Sequence, residues 1–233
     1  MVHYDSAKKT GKTILENLTF YILARLGRME RIWSLMIEKN EKTVVGLTGA
    51  IASGKSSVLN LFAKLGWSVI SSDVLAHEIL AFDKMVQQKI VKHWGKGVLK
   101  SSGSIDKAVI ARIVFEEELE RKWLEGILHP LIRSKWISFV QSCPSQKCMV
   151  ELPLLFENSL QIHFTYTISL FTPIPMIHKR LQNRGLSRPE SDLRIRSQFA
   201  PLNKAELADY VLWGGASMEF LSKQVNKLNS AFA

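Results

Sequence analysis

Apolar positions alternate between strand-like and helix-like spacing from Thr43 to near the carboxyl end of the chain. The run TVVGLT, which begins at Thr43, is short, rich in β-branched residues and almost wholly apolar, as in a strand buried on both faces of a parallel sheet. The next segment, KSSVLNLFAKLG, keeps helical spacing until Gly66 ends it. WSVI, KCMVEL, YTISL and YVL are four further predicted strands, with helices between them. This alternation predicts an α/β fold with a parallel sheet.

A long block of helical pattern interrupts the alternation. Residues 81–141 contain no clear strand pattern, and we expect them to form a helical insert over an edge of the sheet. The α/β core is then expected to comprise residues 43–80 and 142–233. Within the insert, the pair His129–Pro130 is typical of a helix start, because proline is tolerated in the first turn of a helix.

Residues 1–42 lie outside this core and have a pattern of their own. Their apolar residues recur at steps of three and four, which predicts an amphipathic helix that docks on a surface. Charged residues interrupt the segment too often for a membrane span, so stable membrane insertion is not expected. A peripheral membrane anchor is a second interpretation, and translation from Met36 is a third; a protein that begins at Met36 is expected to fold. The apolar stripe comprises Leu15, Leu18, Ile22, Leu26, Met29, Trp33 and Met36.

Composition excludes some classes of protein, but it does not identify a binding partner. The 233 residues include 46% hydrophobic and 22% charged residues, which suits a globular protein with a real core and excludes a disordered chain. The net charge of +10 favours an anionic partner, and nucleic acid, a membrane surface and a small polyphosphate all meet that requirement. Cys143 and Cys148 lack the second pair that a zinc site needs, so we expect reduced thiols and a cytoplasmic location.

The strongest chemical motif is GAIASGKS, at residues 49–56, which joins the first predicted strand to the first predicted helix. It matches G-x₄-G-K-S/T. Gly49 and Gly54 let the backbone curl so that its N–H groups point at phosphate oxygens, and the helix dipole adds to the attraction. Lys55 is expected to reach the β- and γ-phosphates, and the hydroxyl of Ser56 to hold Mg²⁺. The motif therefore predicts a nucleotide site, with a glycine-rich turn that binds nothing as the alternative.

Two classes of nucleotide-binding protein lack support in the sequence. A GTPase requires D-x-x-G, which occurs nowhere in the chain. It also requires N-K-x-D, to which NKAE at residues 203–206 comes close, but with Glu206 in place of the aspartate. Because no apolar strand leads into NKAE, we expect a loop there. A nucleic-acid motor would end an apolar strand in clear acidic residues, and CMVE is only a thin candidate for that strand.

The order of motifs resembles the dephospho-CoA kinase family from about residue 43 to residue 228. The resemblance rests on VVGLTGAIASGKSSV, LGWSVISSDVLAHEIL, LEGILHPLI, ELPLLFEN and the distal HKRLQNRGLS, RIRSQ and ADYVL. It implies a three-layer α/β/α P-loop kinase core with a parallel sheet, a helical acceptor-binding insert and a short lid near residues 180–198. It also implies ATP, Mg²⁺ and dephospho-CoA as partners, so that the basic charge needs no nucleic acid. Another small-metabolite or nucleoside monophosphate kinase, and a non-catalytic nucleotide-binding or nucleic-acid-binding module, are the alternatives.

The resemblance also implies roles for individual residues. By position alone, Asp73 is either a helix cap or a general base three residues after a strand that ends near Ile70, and the family implies the base. Arg180 and Arg184 share a helix face, which by itself suggests a solvated basic surface, whereas the family implies phosphate binding, with Arg184 the stronger candidate. The expected catalytic residues are Lys55, Asp73 and Arg184. The expected nucleotide-binding residues are Gly49, Ala52, Ser53, Gly54, Lys55, Ser56, Ser57, Arg180 and Arg184, and Ser56 is the expected metal ligand.

The chain departs from the family pattern at several positions. Ala50 and Ala52 replace loop glycines, so we expect both to adopt ordinary backbone angles. Ser71 stands where the family has an acid, and His77 where it has an arginine. Trp213 precedes GGA, where the family has an adenine loop with an asparagine, so that Trp213 either stacks on adenine or packs in the protein.

Three further polar residues near these motifs are weaker candidates. Glu157 follows PLLF and is a candidate for approaching the acceptor or a metal, although its position alone does not show this. Glu151 is a weaker candidate for the metal shell. His129 is expected to pack locally and not to take part in catalysis.

Overall fold

One parallel sheet of five strands organises the protein. The computed structural model describes residues 42–232, so the predicted stripe from Leu15 and the possible start at Met36 lie outside the described residues. The sheet has the order β2-β3-β1-β4-β5, and every neighbouring pair is parallel. The prediction of a parallel sheet and of these five strands is confirmed. They are β1 (Thr43–Gly49), β2 (Ser68–Ser71), β3 (Lys147–Glu151), β4 (Tyr166–Phe171) and β5 (Tyr210–Trp213).

Helices connect the strands and extend one side of the sheet. Among residues 42–232, none of the helices is both long and apolar enough to cross a membrane. Short 3₁₀ turns lie at Lys96–Val98 and Leu160–His163. The α-helices are α1 (Lys55–Lys64), α2 (Ser72–Phe82), α3 (Lys84–Trp94), α4 (Lys107–Glu116), α5 (Glu118–Ser142), α6 (Ile174–Gln182), α7 (Arg188–Arg196), α8 (Pro201–Leu207) and α9 (Met218–Ala231).

The sheet is covered on both faces, which gives three layers. On one face, α1 and α9 bury Phe62 and Val225 against strand residues such as Leu47 and Ile168. On the other face, Trp136 of α5 packs with Val150 and with residues of the segment after β3. Strand β1 lies at the centre of the sheet, and its last five residues are buried. The loop that follows β1 therefore starts from the most firmly held strand.

The helices between β2 and β3 have an apolar cluster of their own. It unites side chains of α2, α3, α4 and α5, among them Ile79, Ile90, Ile110 and Leu124. Helix α5 runs from this cluster to the sheet, where its Trp136 belongs to the cluster against β3. The long helix thus fixes the position of the helical region relative to the sheet.

Helix α5 passes through the proline that was expected to mark a helix start. Pro130 lies in the interior of this 25-residue helix, so the prediction of a start at His129–Pro130 is wrong. Proline removes one backbone donor from a helix interior. The helix nevertheless continues, because Leu128 and Trp136 on either side of Pro130 are both buried in apolar clusters.

The segment NKAE is also helical. It lies within α8, so the prediction of a loop is wrong. Pro201 occupies the first turn, where proline fits a helix, and Lys204 of the motif is fully buried. The side chain of Lys204 anchors the helix by donating to the carbonyl of Pro153. A long-range contact, which the local pattern does not contain, thus stabilises the helix.

Cys143 and Cys148 face each other across a turn, with their Cα atoms 7.8 Å apart, which is farther than a disulfide ordinarily spans. The chain reverses between the end of α5 and the start of β3, and the turn brings the two sulfur atoms together. The expectation of two reduced thiols therefore stays a prediction.

Candidate active site

The loop between β1 and α1 has the form of a phosphate cradle. Gly49 has a φ of 149°, and a Cβ atom there would lie 2.7 Å from the carbonyl oxygen of Leu170 in β4, so a side chain would collide with the neighbouring strand. Gly54 precedes α1 in a left-handed conformation, with a φ of 105°. No side chain caps α1, so the first N–H groups of the helix are open to an anion, while the N–H of Ser57 already donates to the carbonyl of Gly54 over 2.9 Å.

Ala52 adopts a left-handed conformation within this loop. Its φ is 56°, so the expectation of an ordinary angle is wrong for Ala52, whereas Ala50 is not among the residues with positive φ. Such a conformation costs alanine about 1–2 kcal/mol. Two contacts hold it: the methyl group packs with Ile177 and Leu181 of α6, and Arg180 donates to the carbonyl of Ala52 over 3.1 Å.

The ammonium of Lys55 lies at the centre of the charged groups of the site. The side chain is buried, and its Nζ donates to the carbonyls of Gly49 and Ala50 over 3.0 and 3.1 Å. Burial lowers the pKa of Lys55, the negative charges of Glu151 and Asp73 raise it, and the positive charge of Arg184 lowers it. Asp73 and Arg184 therefore both act electrostatically on the nitrogen expected to meet phosphate.

Glu151 lies closer to Lys55 than its standing as a weaker candidate in the sequence analysis suggested. It ends β3, is buried, and its Oε1 lies 3.8 Å from Lys55 Nζ. The hydroxyl of Ser71, in the neighbouring strand, donates to its Oε2. Burial raises the pKa of Glu151, although the charge of Lys55 acts in the opposite direction. The signal that indicates this acid is its position at the carboxyl end of a strand that pairs with β1.

Asp73 lies beyond the end of β2, where its side chain is exposed at a cavity. Strand β2 ends at Ser71, one residue later than expected, and Asp73 lies in the first turn of α2. The residue at the cap position is Ser71, and no side-chain hydrogen bond caps α2, so Asp73 does not act as the helix cap. The Asp73 side chain is exposed and faces a cavity. Its carboxylate is thus open to an acceptor molecule.

Two cavities adjoin these groups. The larger, of about 600 Å³, lies between the sheet edge and the helical region and is lined by Asp73, Phe115, Arg121 and Gln198, among others. The smaller, of about 410 Å³, lies over the loop. Seven of the residues expected to bind nucleotide line it: Ala52, Ser53, Gly54, Ser56, Ser57, Arg180 and Arg184. The other two expected residues, Gly49 and Lys55, contact each other beneath it.

The two arginines expected to bind phosphate have different surroundings. Arg180 donates to the carbonyls of Ser53 and Gly214 over 2.6 and 2.7 Å, so its guanidinium ties α6 to the loop and to the segment after β5. Arg184 is exposed at the smaller cavity and, within the described part of the chain, forms no ion pair. In this structure, Arg184 is the arginine whose charge is open to a ligand.

Trp213 packs in the protein. Its ring lies against Phe171, with ring centroids 5.5 Å apart, and a Cβ atom on Gly215 would lie 3.0 Å from it. Trp213 does not line the smaller cavity, whereas Gly214 does. A Cβ atom on Gly214 would lie 3.0 Å from the carbonyl oxygen of Ser53. The GG pair therefore lets the backbone approach the loop closely.

Glu157 pairs with groups of the protein and does not line the larger cavity. Its Oε1 lies 2.8 Å from Lys204 Nζ and accepts the N–H of Phe199 over 2.8 Å. Glu157 is not among the residues that line the larger cavity, although its neighbour Asn158 is. His129 lines the same cavity from α5. The structure thus places Glu157 behind the cavity wall and His129 in it.

The residues of the loop fit Mg²⁺ held mainly by phosphate. Residues 42–232 contain no group of three or more His, Cys, Asp or Glu side chains that forms a metal cage. Mg²⁺ in phosphoryl-transfer sites needs few protein ligands, because phosphate oxygens and water complete its shell. The exposed hydroxyl of Ser56, in the wall of the smaller cavity, is a suitable oxygen ligand.

Comparison with known proteins gives a consistent result. The family model described as dephospho-CoA kinase matches residues 43–219. The chain is similar to the dephospho-CoA kinase of Shewanella oneidensis, with 34% identity over 82% of this chain and 94% of that protein. It is also similar to that of Legionella pneumophila strain Lens, with 35% identity over 81% and 94%. Among solved structures, a dephospho-CoA kinase from Campylobacter jejuni superposes with a TM-score of 0.61 and 30% identity, covering 82% of this chain and 97% of that one.

Proposed function

Since the chain belongs to the dephospho-CoA kinase family, we propose that it transfers the γ-phosphate of ATP to the 3′-hydroxyl of dephospho-CoA, giving coenzyme A and ADP. The observation that carries the assignment of roles is the buried ammonium of Lys55, which donates to the carbonyls of Gly49 and Ala50 and lies 3.8 Å from Glu151 Oε1. The charge of Asp73, which lines the larger cavity, raises the pKa of Lys55. The charge of Arg184, which lines the smaller cavity, lowers it. We therefore assign to Lys55 the place where the nucleotide and the acceptor would meet.

The smaller cavity is the proposed ATP site. The uncapped N–H groups of α1 would donate to the phosphate oxygens, and Lys55 would exchange its hydrogen bonds to Gly49 and Ala50 for bonds to the β- and γ-phosphates. Ser56 would hold Mg²⁺, which when bound neutralises charge on the phosphate oxygens. Arg180 serves this site through the backbone that it holds in place.

The larger cavity is the proposed site of dephospho-CoA. The exposed carboxylate of Asp73 would accept the proton of the 3′-hydroxyl as its oxygen attacks the γ-phosphorus, and ADP leaves on the opposite side. Arg184 would approach the charge that develops on the transferred group. We assign acceptor binding to residues 81–141, with the lid at 180–198, because both segments contribute side chains to the walls of this cavity.

The test is a measurement of ADP formation by the purified protein with ATP, Mg²⁺ and one acceptor at a time. We expect rapid ADP release with dephospho-CoA, but not with AMP or RNA, and a product whose added phosphate is on the 3′-oxygen by mass spectrometry. Rapid turnover of AMP in place of dephospho-CoA would contradict the proposal and support a nucleoside monophosphate kinase. A cytoplasmic location, where ATP is available, is part of the proposal and can be tested by cell fractionation.

A further inference from the structure

We propose that Gln198 forms hydrogen bonds to the adenine of the acceptor and thereby determines which acceptor molecule is phosphorylated. This inference rests on the proposed function. Gln198 lines the larger cavity, and its Oε1 is buried without a hydrogen-bond partner among the described residues. A buried acceptor atom is costly to leave unpaired, so folded proteins supply it with a donor from protein, water or ligand. A hydrogen-bond donor on the molecule that is to be phosphorylated would supply the missing partner of Oε1.

The backbone on both sides of Gln198 is held in place. Before it, the hydroxyl of Ser197 donates to the carbonyl of Arg194 over 2.9 Å. After it, the N–H of Phe199 donates to Glu157, whose Oε1 is 2.8 Å from the fully buried Lys204. Because these contacts fix the backbone on both sides of Gln198, the amide is held near one position, as recognition by hydrogen bonds requires.

The neighbouring wall is suited to a planar base. Phe115 lines the same cavity, and the guanidinium of Arg194 lies 4.1 Å from the centre of its ring, so that α7 and α4 meet beside Gln198. Leu124, Leu128 and Trp136 add further apolar surface to this cavity. Apolar and aromatic walls with few polar groups are typical of sites that bind the flat part of a ligand.

The chemistry of dephospho-CoA then selects the donor. Asp73, in the same cavity, is assigned to the ribose 3′-hydroxyl, and the base is attached to that same ribose. The exocyclic amine of adenine is the donor that belongs to a planar ring. A glutamine amide pairs with adenine through its oxygen to the amine and its nitrogen to a ring nitrogen. On the edge formed by the amine and N7, hypoxanthine presents two acceptors, so Oε1 of Gln198 would face a carbonyl oxygen there and stay unpaired.

The experiment compares two acceptors, dephospho-CoA and its analogue with hypoxanthine in place of adenine. We expect the full-length protein to prefer dephospho-CoA in kcat/KM by about ten- to a hundredfold, the usual range for a paired amide and base. Gln198→Met, which keeps the size but removes the polar atoms, is expected to lose most of this preference with an unchanged KM for ATP. Gln141→Met, at an exposed position of α5, is the control and should keep the preference.

The ratio between acceptors is measured on one preparation, so a loss of folded protein cancels. The inference is wrong if the unsubstituted protein uses both acceptors equally, or if Gln198→Met keeps the full preference, because water then satisfies Oε1. If the Met variant does not fold, Gln198→Glu, which keeps an acceptor oxygen, must still prefer adenine. Failure of the unsubstituted protein to use dephospho-CoA at all overturns the proposed function, and with it this inference.

Discussion

Replacing Lys204 by methionine removes the cation of a buried ion pair and is expected to destabilise the fold strongly. The Lys204 side chain is 0% exposed and that of Glu157 is 15% exposed, with 2.8 Å between Nζ and Oε1. After Lys204→Met, Glu157 keeps the N–H of Phe199, while its Oε2 is already buried without a partner. The carbonyl of Pro153 also loses a donor, although the hydroxyl of Thr48 still reaches it over 3.1 Å.

The size of the expected loss of stability follows from the carboxylate of Glu157, which is left without its cation. Breaking a buried pair by removing one partner costs about 3–5 kcal/mol, because the other charge stays buried without compensation. For a domain of this size, such a loss lowers the melting temperature by roughly 6–20 °C. Adding Glu157→Gln removes that charge, so the double variant should be less destabilised than the sum of the two single variants.

The assay is denaturant and thermal unfolding of the four proteins of this cycle. Lys223→Met is the control, since Lys223 pairs with Glu219 over 2.7 Å but both side chains are more than 70% exposed. Such a surface pair contributes about 0.3–0.5 kcal/mol. If Lys204→Met costs no more than this control, or if the double variant shows no coupling, the buried pair does not stabilise the fold as argued.

The other predictions concern the reaction. Lys55→Met is expected to reduce kcat by at least about a hundredfold, with Lys64→Met at an exposed position of the same helix as the control; near-normal turnover would show that Lys55 does not meet phosphate. Asp73→Asn should lower kcat by about a hundred- to ten-thousandfold with unchanged ATP binding, whereas a loss confined to ATP affinity would make Asp73 a nucleotide-site residue. Arg184→Ala should lower kcat by about a thousandfold with the melting temperature unchanged. Arg180→Met should mainly destabilise the fold, by about 2–3 kcal/mol, because the carbonyls of Ala52 and Gly214 lose this donor and that of Ser53 keeps only the hydroxyl of Thr172. Equal effects of the two arginine substitutions on kcat and on melting would contradict this division.

Local pattern was sufficient for the strands and for the loop. A strand buried in a parallel sheet consists largely of consecutive apolar residues, so a few residues suffice to predict β1 and each of the other four strands. The phosphate loop is likewise a contiguous motif, whose glycines have steric reasons within the loop and the adjacent strand, as Gly49 shows against Leu170. Helix boundaries were less predictable, since α5 continues through Pro130 and α8 forms over NKAE.

The sequence by itself thus determined the α/β architecture, the nucleotide loop and the family, since each depends on residues that are close in the chain. Only the tertiary structure decided the partners of the polar side chains. Glu151 meets Ser71 across 80 positions, Arg180 reaches Ala52 across 128, and Glu157 pairs with Lys204 from another element. The left-handed backbone angle of Ala52 likewise depends on its contacts with α6. These contacts join residues from different strands and helices, and their free energy depends on burial and distance, which exist only once the sheet has brought those elements together.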